Sequence, residues 1–289
     1  DQNGIFLYDL SASKLTKVNE FDSSGENMTI SGKSFNVAWT VGNNLFVALN
    51  GETIQVNSGE NQDIVYGQIP SRNEFGINAG IYWSPDGKRI AFYRIDQCEV
   101  TDYPLVDISS RIAESSLIKY PMAGMKSEKL KLGVYDPQQN ETVYLQTEGP
   151  ENQYITSVTW DPSGRFIYAG ILNRDQNHLR MNKYDASTGE LVRNLFEERN
   201  DRYVEPLHEL YFFPGDDSKF IWQSRRDGWN HLYQYDTDGN LLKQITKGKW
   251  EVINLIASDP QGNSVFYEST MESPLEKHLC KTEIKTGKT

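Results

Sequence analysis

The sequence predicts an all-β chain, a β-propeller of four-stranded blades. Three observations carry this: a strand–turn–strand motif that returns four times, a second hairpin motif interleaved with it, and a composition suited to short strands and tight turns. The 289 residues include 16 Tyr, 12 Phe, 6 Trp and 22 Gly. Aromatic side chains favour half-buried pleated surfaces, and Gly beside Asp, Asn and Ser closes turns.

The first motif reads "YWSPDGKRIAFYR" (82–94), "VTWDPSGRFIYAGI" (158–171), "LYFFPGDDSKFIWQS" (210–224) and "LIASDPQGNSVFYES" (255–269). Pro85, Pro162, Pro214 and Pro260 sit in its turns, where a residue that cannot donate to a ladder belongs. The second motif ends a hydrophobic strand near Tyr-Asp and returns after a polar turn: "IFLYDLSASKLTKV" (5–18), "LGVYDPQQNETVYLQ" (132–146), "MNKYDASTGELVRNL" (181–195) and "HLYQYDTDGNLLKQI" (231–245), with "TEIKTGKT" opening another. Two hairpins per unit make four strands, and a repeat of roughly 45–50 residues with four strands is a propeller blade. No stretch sustains a 3.6-residue apolar period, which excludes helical solenoids. About five to six blades are expected. The first is partial, with "IFLYDLSASKLTKV" as an outer hairpin lacking inner strands, and the ending on a hairpin predicts that the natural chain continues past Thr289.

One interval is too long for a blade. Residues 95–127 form an expected inserted arm, in which the alternating "VTDYPLVDI" and the "YPMAG" turn favour order.

The formal charge of −11 disfavours a phosphate backbone and suits either solubility alone or a cationic partner such as a peptide amino terminus. Cys98 and Cys280 lie far apart and outside any C-x-x-C or His-rich setting, so two free thiols and no zinc site are expected. No run approaches the ~18 apolar residues of a membrane span. The opening "DQNGIFLYDL" has no charged-then-apolar leader, which fits a cytosolic protein or one whose leader has been removed. There is no G-x-S-x-G elbow, and His178, His208, His231 and His278 lack a serine setting that would make a triad. Phosphate-loop and H-E-x-x-H patterns are also missing, so neither a catalytic residue nor a cofactor is expected in this chain.

"SRRDGWNHLY" (224–233) allows two readings. Arg225 or Arg226 offers a planar donor fork to a substrate carbonyl or carboxylate; alternatively Asp227-Gly228 is a hairpin turn, with Trp229 packed between blades and arginine–aspartate pairing at the rim. Arg72 is a further candidate rim contact, and "RDQNH" (174–178) reads first as a polar turn.

Taken together, "DIVYGQ" (63–68), "EFGINAGIYWSPDGKRIAFYRID" (74–96), "YPMAG" (120–124), "YVEPLHEL" (203–210), "WQSRRDGWNHLY" (222–233) and "TKGKWEV" (246–252) resemble the propeller of the dipeptidyl peptidase IV family of prolyl serine exopeptidases, bacterial dipeptidyl and prolyl tripeptidyl peptidases above all. The resemblance implies an eight-bladed propeller capping an α/β-hydrolase domain beyond Thr289, which would carry the serine, aspartate and histidine. It also implies that Glu74 binds the free α-amino group of the substrate, with Asn73 a weaker contact. Dipeptidyl peptidases carry a Glu-Glu pair there; Asn73-Glu74 keeps only the second carboxylate, the pattern of tripeptide release. A carboxylate that holds an ammonium in a partly dry cavity makes a charge-assisted hydrogen bond that an N-blocked peptide cannot offer.

By the same resemblance the arm contributes to a homodimer, with Tyr103, Pro104, Leu105, Val106 and Ile108 supplying apolar area; a lid folded on its own blade is the other reading. The parent protein is expected in the periplasm or secreted. The sequence thus reads as the non-catalytic, substrate-gating propeller of an exopeptidase. Its rivals are a stand-alone propeller that binds protein or glycan, and a family member whose hydrolase domain is inactive.

Overall fold

The computed structural model describes residues 4–57, 59 and 61–289, and of Arg72 only the backbone. The side chain of that candidate rim contact therefore lies outside the described set. The chain forms the expected all-β propeller from antiparallel sheets and divides into two compact units: residues 1–70, 79–144 and 148–153, and residues 71–78, 145–147 and 154–289.

The first unit opens with the hairpin β1 (Gly4–Asp9) and β2 (Lys14–Glu20), two strands without inner partners, as the first copy of the second motif predicts. A complete four-stranded blade follows: β3 (Glu26–Ile30), β4 (Val37–Val41), β5 (Asn44–Leu49) and β6 (Glu52–Gln55). Neither sequence motif marks it, because no proline stands in its turns; its evidence is the buried run Val37, Ala38, Trp39. The next sheet takes β7 (Ile64–Tyr66), β8 (Ile81–Trp83) and β9 (Ile90–Asp96), then β12 and β13 after an interruption.

That interruption is the hairpin β10 (Asp102–Asp107) and β11 (Glu114–Lys119), a sheet of its own. All six residues of β10 are exposed, so the hairpin projects instead of folding down as a lid. The chain then returns through β12 (Lys129–Asp136), paired along β9, and β13 (Glu141–Tyr144).

The second unit holds β14 (Tyr154–Trp160), β15 (Phe166–Leu172), β16 (His178–Asp185) and β17 (Leu191–Arg199); then β18 (Tyr211–Phe213), β19 (Asp216–Ser224), β20 (His231–Asp236) and β21 (Leu241–Gln244); then β22 (Val252–Ser258), β23 (Ser264–Ser269) and β24 (His278–Glu283). Its core follows from the two-residue period of a strand. On β19, Phe220 and Trp222 join the cluster holding Tyr168 of β15, with the Phe220 and Tyr168 rings 5.9 Å apart. Ile221, one residue along, joins Val265 and Tyr267 of β23 on the opposite face. The middle sheet is therefore packed on both faces, which is why Phe220, Ile221 and Trp222 follow one another with no polar residue between them.

Both cysteines are free, Cys98 exposed and Cys280 buried. No helix among the described residues is long and apolar enough to cross a membrane.

Candidate functional site

Residues 71–78 belong to the second unit although residues 70 and 79 belong to the first. The segment begins with a single 3-10 turn, Ser71–Asn73. The amide of Glu74 donates to the Ser71 carbonyl at 3.0 Å, and that of Ile77 to the Glu74 carbonyl at 3.1 Å. Ser71, Asn73 and Phe75 have φ of +54°, +65° and +55°, followed by Gly76 at +70°. Each left-handed non-glycine residue costs on the order of 1–2 kcal/mol. A bulky residue such as Phe75 is seldom found there.

Packing holds this backbone in place. Phe75 is buried, its ring 4.5 Å from that of Tyr154, and its carbonyl accepts a 2.5 Å hydrogen bond from Thr156 Oγ1. Gly76 passes so close to the next wall that a Cβ there would stand 2.3 Å from the Leu207 carbonyl oxygen. With residues 75–77 fastened, Asn73 and Glu74 present their side chains to solvent. Among the described residues the Glu74 carboxylate has no ion pair or hydrogen bond. In this chain Glu74 is exposed and does not line the neighbouring cavity, because the buried direction at this bend is taken by Phe75.

That cavity, about 320 Å³, opens beside Gly76 and Asn78. Its far wall is the approach to β18 (Leu207 to Leu210) together with Tyr211, Ile221 and Gln223, and residues 254–255 of β22 close it. Glu209 reaches solvent through the mouth, yet the surrounding protein desolvates its carboxyl and raises its pKa above the ordinary glutamate range. His208 is shifted the other way, first by burial and then by the Arg225 guanidinium, both of which favour the neutral ring. Sequence reading quoted "YVEPLHEL" without assigning a role to either residue; an acid next to apolar Leu210 at the start of an inner strand is the signal that was available.

The two arginines are engaged with glutamates, not with rim aspartates. Arg225 meets Glu251 at 2.8 Å and Glu205 at 3.9 Å. Arg226 meets Glu198 at 2.6 Å, with its guanidinium 4.5 Å from the Tyr233 ring centre. Glu198 also accepts from the Trp222 indole at 2.7 Å, so Arg226 closes a polar cluster over the core. The Asp227-Gly228 turn forms, with Gly228 at φ +97°. Trp229 is not packed between blades: it is 38% exposed, because β20 begins only at His231 and leaves the indole on the turn. Arg174 hydrogen-bonds the Tyr154 hydroxyl and lies over its ring at 5.0 Å, bracing the aromatic pair that carries Phe75.

The arm residues Tyr103, Leu105, Val106 and Ile108 are 40%, 47%, 61% and 82% exposed, and Pro104 is exposed with them. Among the described residues no group of His, Cys, Asp and Glu is arranged to hold a metal ion.

A family profile described as the dipeptidyl peptidase IV (DPP IV) N-terminal region matches residues 2–289. Dipeptidyl aminopeptidase B of Saccharomyces cerevisiae is 26% identical, over 97% of this chain and 36% of its own. A probable dipeptidyl-aminopeptidase B of Aspergillus niger is 28% identical over 86% of this chain and 31% of its own. Among solved structures, a Bacteroides ovatus protein assigned as a dipeptidyl aminopeptidase IV superposes with a TM-score of 0.88 at 36% identity, over 98% of this chain and 42% of that one. Porphyromonas gingivalis dipeptidyl peptidase 4 superposes with a TM-score of 0.85 at 26% identity, covering 98% and 41%. The chain therefore spans about a third of the length of these curated relatives.

Proposed function

The chain belongs to the dipeptidyl peptidase IV N-terminal region family, and from that premise we propose that it is the non-catalytic, substrate-gating propeller of a prolyl-specific serine exopeptidase, with Glu74 as the group that binds the free amino terminus of the peptide. The catalytic serine, aspartate and histidine belong to an α/β-hydrolase domain of the same polypeptide. The partial span over the relatives supports that division of labour.

One observation carries the reading. Three left-handed non-glycine residues in five are maintained by burial of Phe75 and close packing of Gly76, and the outcome is a carboxylate held outward with no partner among the described residues. Backbone strain of this kind collects at ligand sites, where the surrounding packing sustains it. A carboxylate and an ammonium form a short charge-assisted bond that neither an acetylated terminus nor an internal peptide can replace. Asn73 beside it adds an amide but no second charge, which favours release of three residues over two.

The projecting arm is the homodimer contact in this reading, supported by its exposed apolar residues. The polypeptide acts outside the cytoplasm, in the periplasm or secreted, a placement that rests on the family.

The test uses the full polypeptide with Gly-Pro-p-nitroanilide and Ala-Ala-Pro-p-nitroanilide, each with a free and an acetylated amino terminus. Glu74→Gln is expected to lower kcat/KM for the free-amine tripeptide substrate by about 30-fold or more, the effect of breaking a charge pair that the docked peptide shields from water and that is then worth roughly 2–5 kcal/mol, and to leave the acetylated substrates unchanged. Equal cleavage of all four by wild type and variant would remove Glu74 from the site.

A further inference from the structure

We propose that the cavity beside Gly76 is a cation subsite that takes the ammonium or guanidinium side chain of a basic peptide residue, with Glu209 as its counter-charge. The proposal rests on the reading of the Glu74 segment as the edge where the peptide docks, and it adds a side-chain specificity which that reading does not contain.

The polar groups of the cavity decide what it accepts. Gln223 Nε2 is committed to the carbonyls of Val252 and Ile253 at 3.1 and 3.2 Å. Asn254 Nδ2 donates to Glu268 at 2.8 Å, and the Tyr211 hydroxyl donates to Ser258 Oγ at 3.2 Å while accepting from its amide at 2.8 Å. Glu209 has no hydrogen bond or ion pair among the described residues. It stands exposed at the cavity mouth with its carboxyl partly desolvated by the neighbouring groups, and a carboxylate there gains a charge-assisted bond when a cation meets it.

Two neighbours that would oppose a cation are disarmed. His208 is held toward its neutral form, so it adds no positive charge. Arg225 is turned to Glu251 and Glu205, and no cation acts on Glu209.

The walls fit the rest of such a side chain. Leu207, 38% exposed, and Leu255 offer apolar surface for a methylene stem, and the buried Leu210 and Ile221 also line the cavity. Lys and Arg bury their stems on such surface while the charged head finds a carboxylate. About 320 Å³ is ample for one such side chain. Gly76 forms part of the wall two residues after Glu74, so the amino terminus and the cavity are served by one short segment.

The experiment is calorimetric titration of the full polypeptide with Lys-Ala-Pro and Ala-Lys-Pro, their norleucine counterparts, and all four acetylated at the α-amine. In wild type the lysine peptide of one of the two positions should bind at least about 10-fold more tightly than its norleucine isostere, as a charge-assisted bond requires. The advantage should persist after acetylation and in Glu74→Gln, and vanish in Glu209→Gln with a melting temperature no lower than that of wild type. Equal binding of lysine and norleucine peptides at both positions, or an advantage that survives Glu209→Gln, overturns the proposal. If Glu209→Gln instead abolishes the preference for a free α-amine, the cavity holds the terminus and the side-chain assignment is wrong. The Glu74 reading is scored separately, by whether Glu74→Gln erases the difference between free and acetylated peptides.

Discussion

At the residue scale, the bend from Ser71 to Ile77 shows why one position is irreplaceable and its neighbour is free. Gly76 combines φ of +70° with a Leu207 carbonyl oxygen 2.3 Å from where a Cβ would sit. Backbone cannot retreat as a flexible side chain can. Gly76→Ala is therefore expected to lower the melting temperature, at a cost of about 1–3 kcal/mol, and to reduce amine discrimination, because the loop carrying Glu74 must shift; thermal melts and the four-substrate assay read the two effects. Glu209 makes the opposite prediction. Its folded pKa lies above the reference 4.5, so the ionised carboxylate weighs against the folded state at pH above that raised value and the burden disappears as the group protonates. Glu209→Gln should melt at a higher temperature than wild type near about pH 8, with the gap closing as pH falls through the raised pKa toward 4.5. A gap that is constant with pH would mean that packing, not charge, sets it.

At the scale of elements, the hairpin β10–β11 is the part whose residues disagree with their surroundings. Leu105, Val106 and Leu117 are 47%, 61% and 67% exposed on a two-stranded sheet, and an isolated two-stranded hairpin is marginal in water. Leu105 and Val106 are neighbours on one strand and face opposite ways, so each face of the hairpin carries exposed apolar surface, which is the dimer contact in the reading proposed above. Replacing Leu105 and Val106 with Ser is expected to shift the full polypeptide from dimer to monomer in sedimentation while leaving its melt within about 1 kcal/mol of wild type. An unchanged oligomer would remove the arm from the contact. The blade hairpins behave differently, since their turns are specified locally. Asp161 accepts from the amide of Phe166 at 2.7 Å, and Asp259 from those of Gln261 and Asn263 at 3.0 and 2.9 Å. Those aspartates stand directly before Pro162 and Pro260, which is why the first motif was readable as strand, turn, strand.

At the scale of the whole molecule, both motifs mapped onto the ladders they predicted: the first onto β8–β9, β14–β15, β18–β19 and β22–β23, the second onto β1–β2, β12–β13, β16–β17 and β20–β21. Period-two alternation and turn chemistry are local properties, and a repeat multiplies them until the architecture is legible. The blade β3–β6 escaped notice because its turns lack proline, although β4 carries a run of four buried residues, Val37 to Thr40. The arm was recognisable as an interruption of the repeat. Glu74 was singled out through the resemblance of its surrounding motif, whereas nothing in "RNEFGI" disclosed that Phe75 turns inward and Glu74 outward. Trp229 was misread for the same reason, since an indole beside a turn looks like core until the start of the next strand is known.

The sequence by itself determined the all-β class, the blade repeat, the site of the insertion and the residues that close each hairpin, because all of these depend on neighbours within a few positions in the chain. Only the tertiary structure decided which carboxylates are solvated and which are desolvated. Glu74 and Glu209 are alike as letters, and they part company because the first sits on the outer side of a strained bend while residues far away in the sequence, Gly76, Ile221 and Leu255, line a cavity with the second. Burial is a sum over distant segments, and no local pattern contains it.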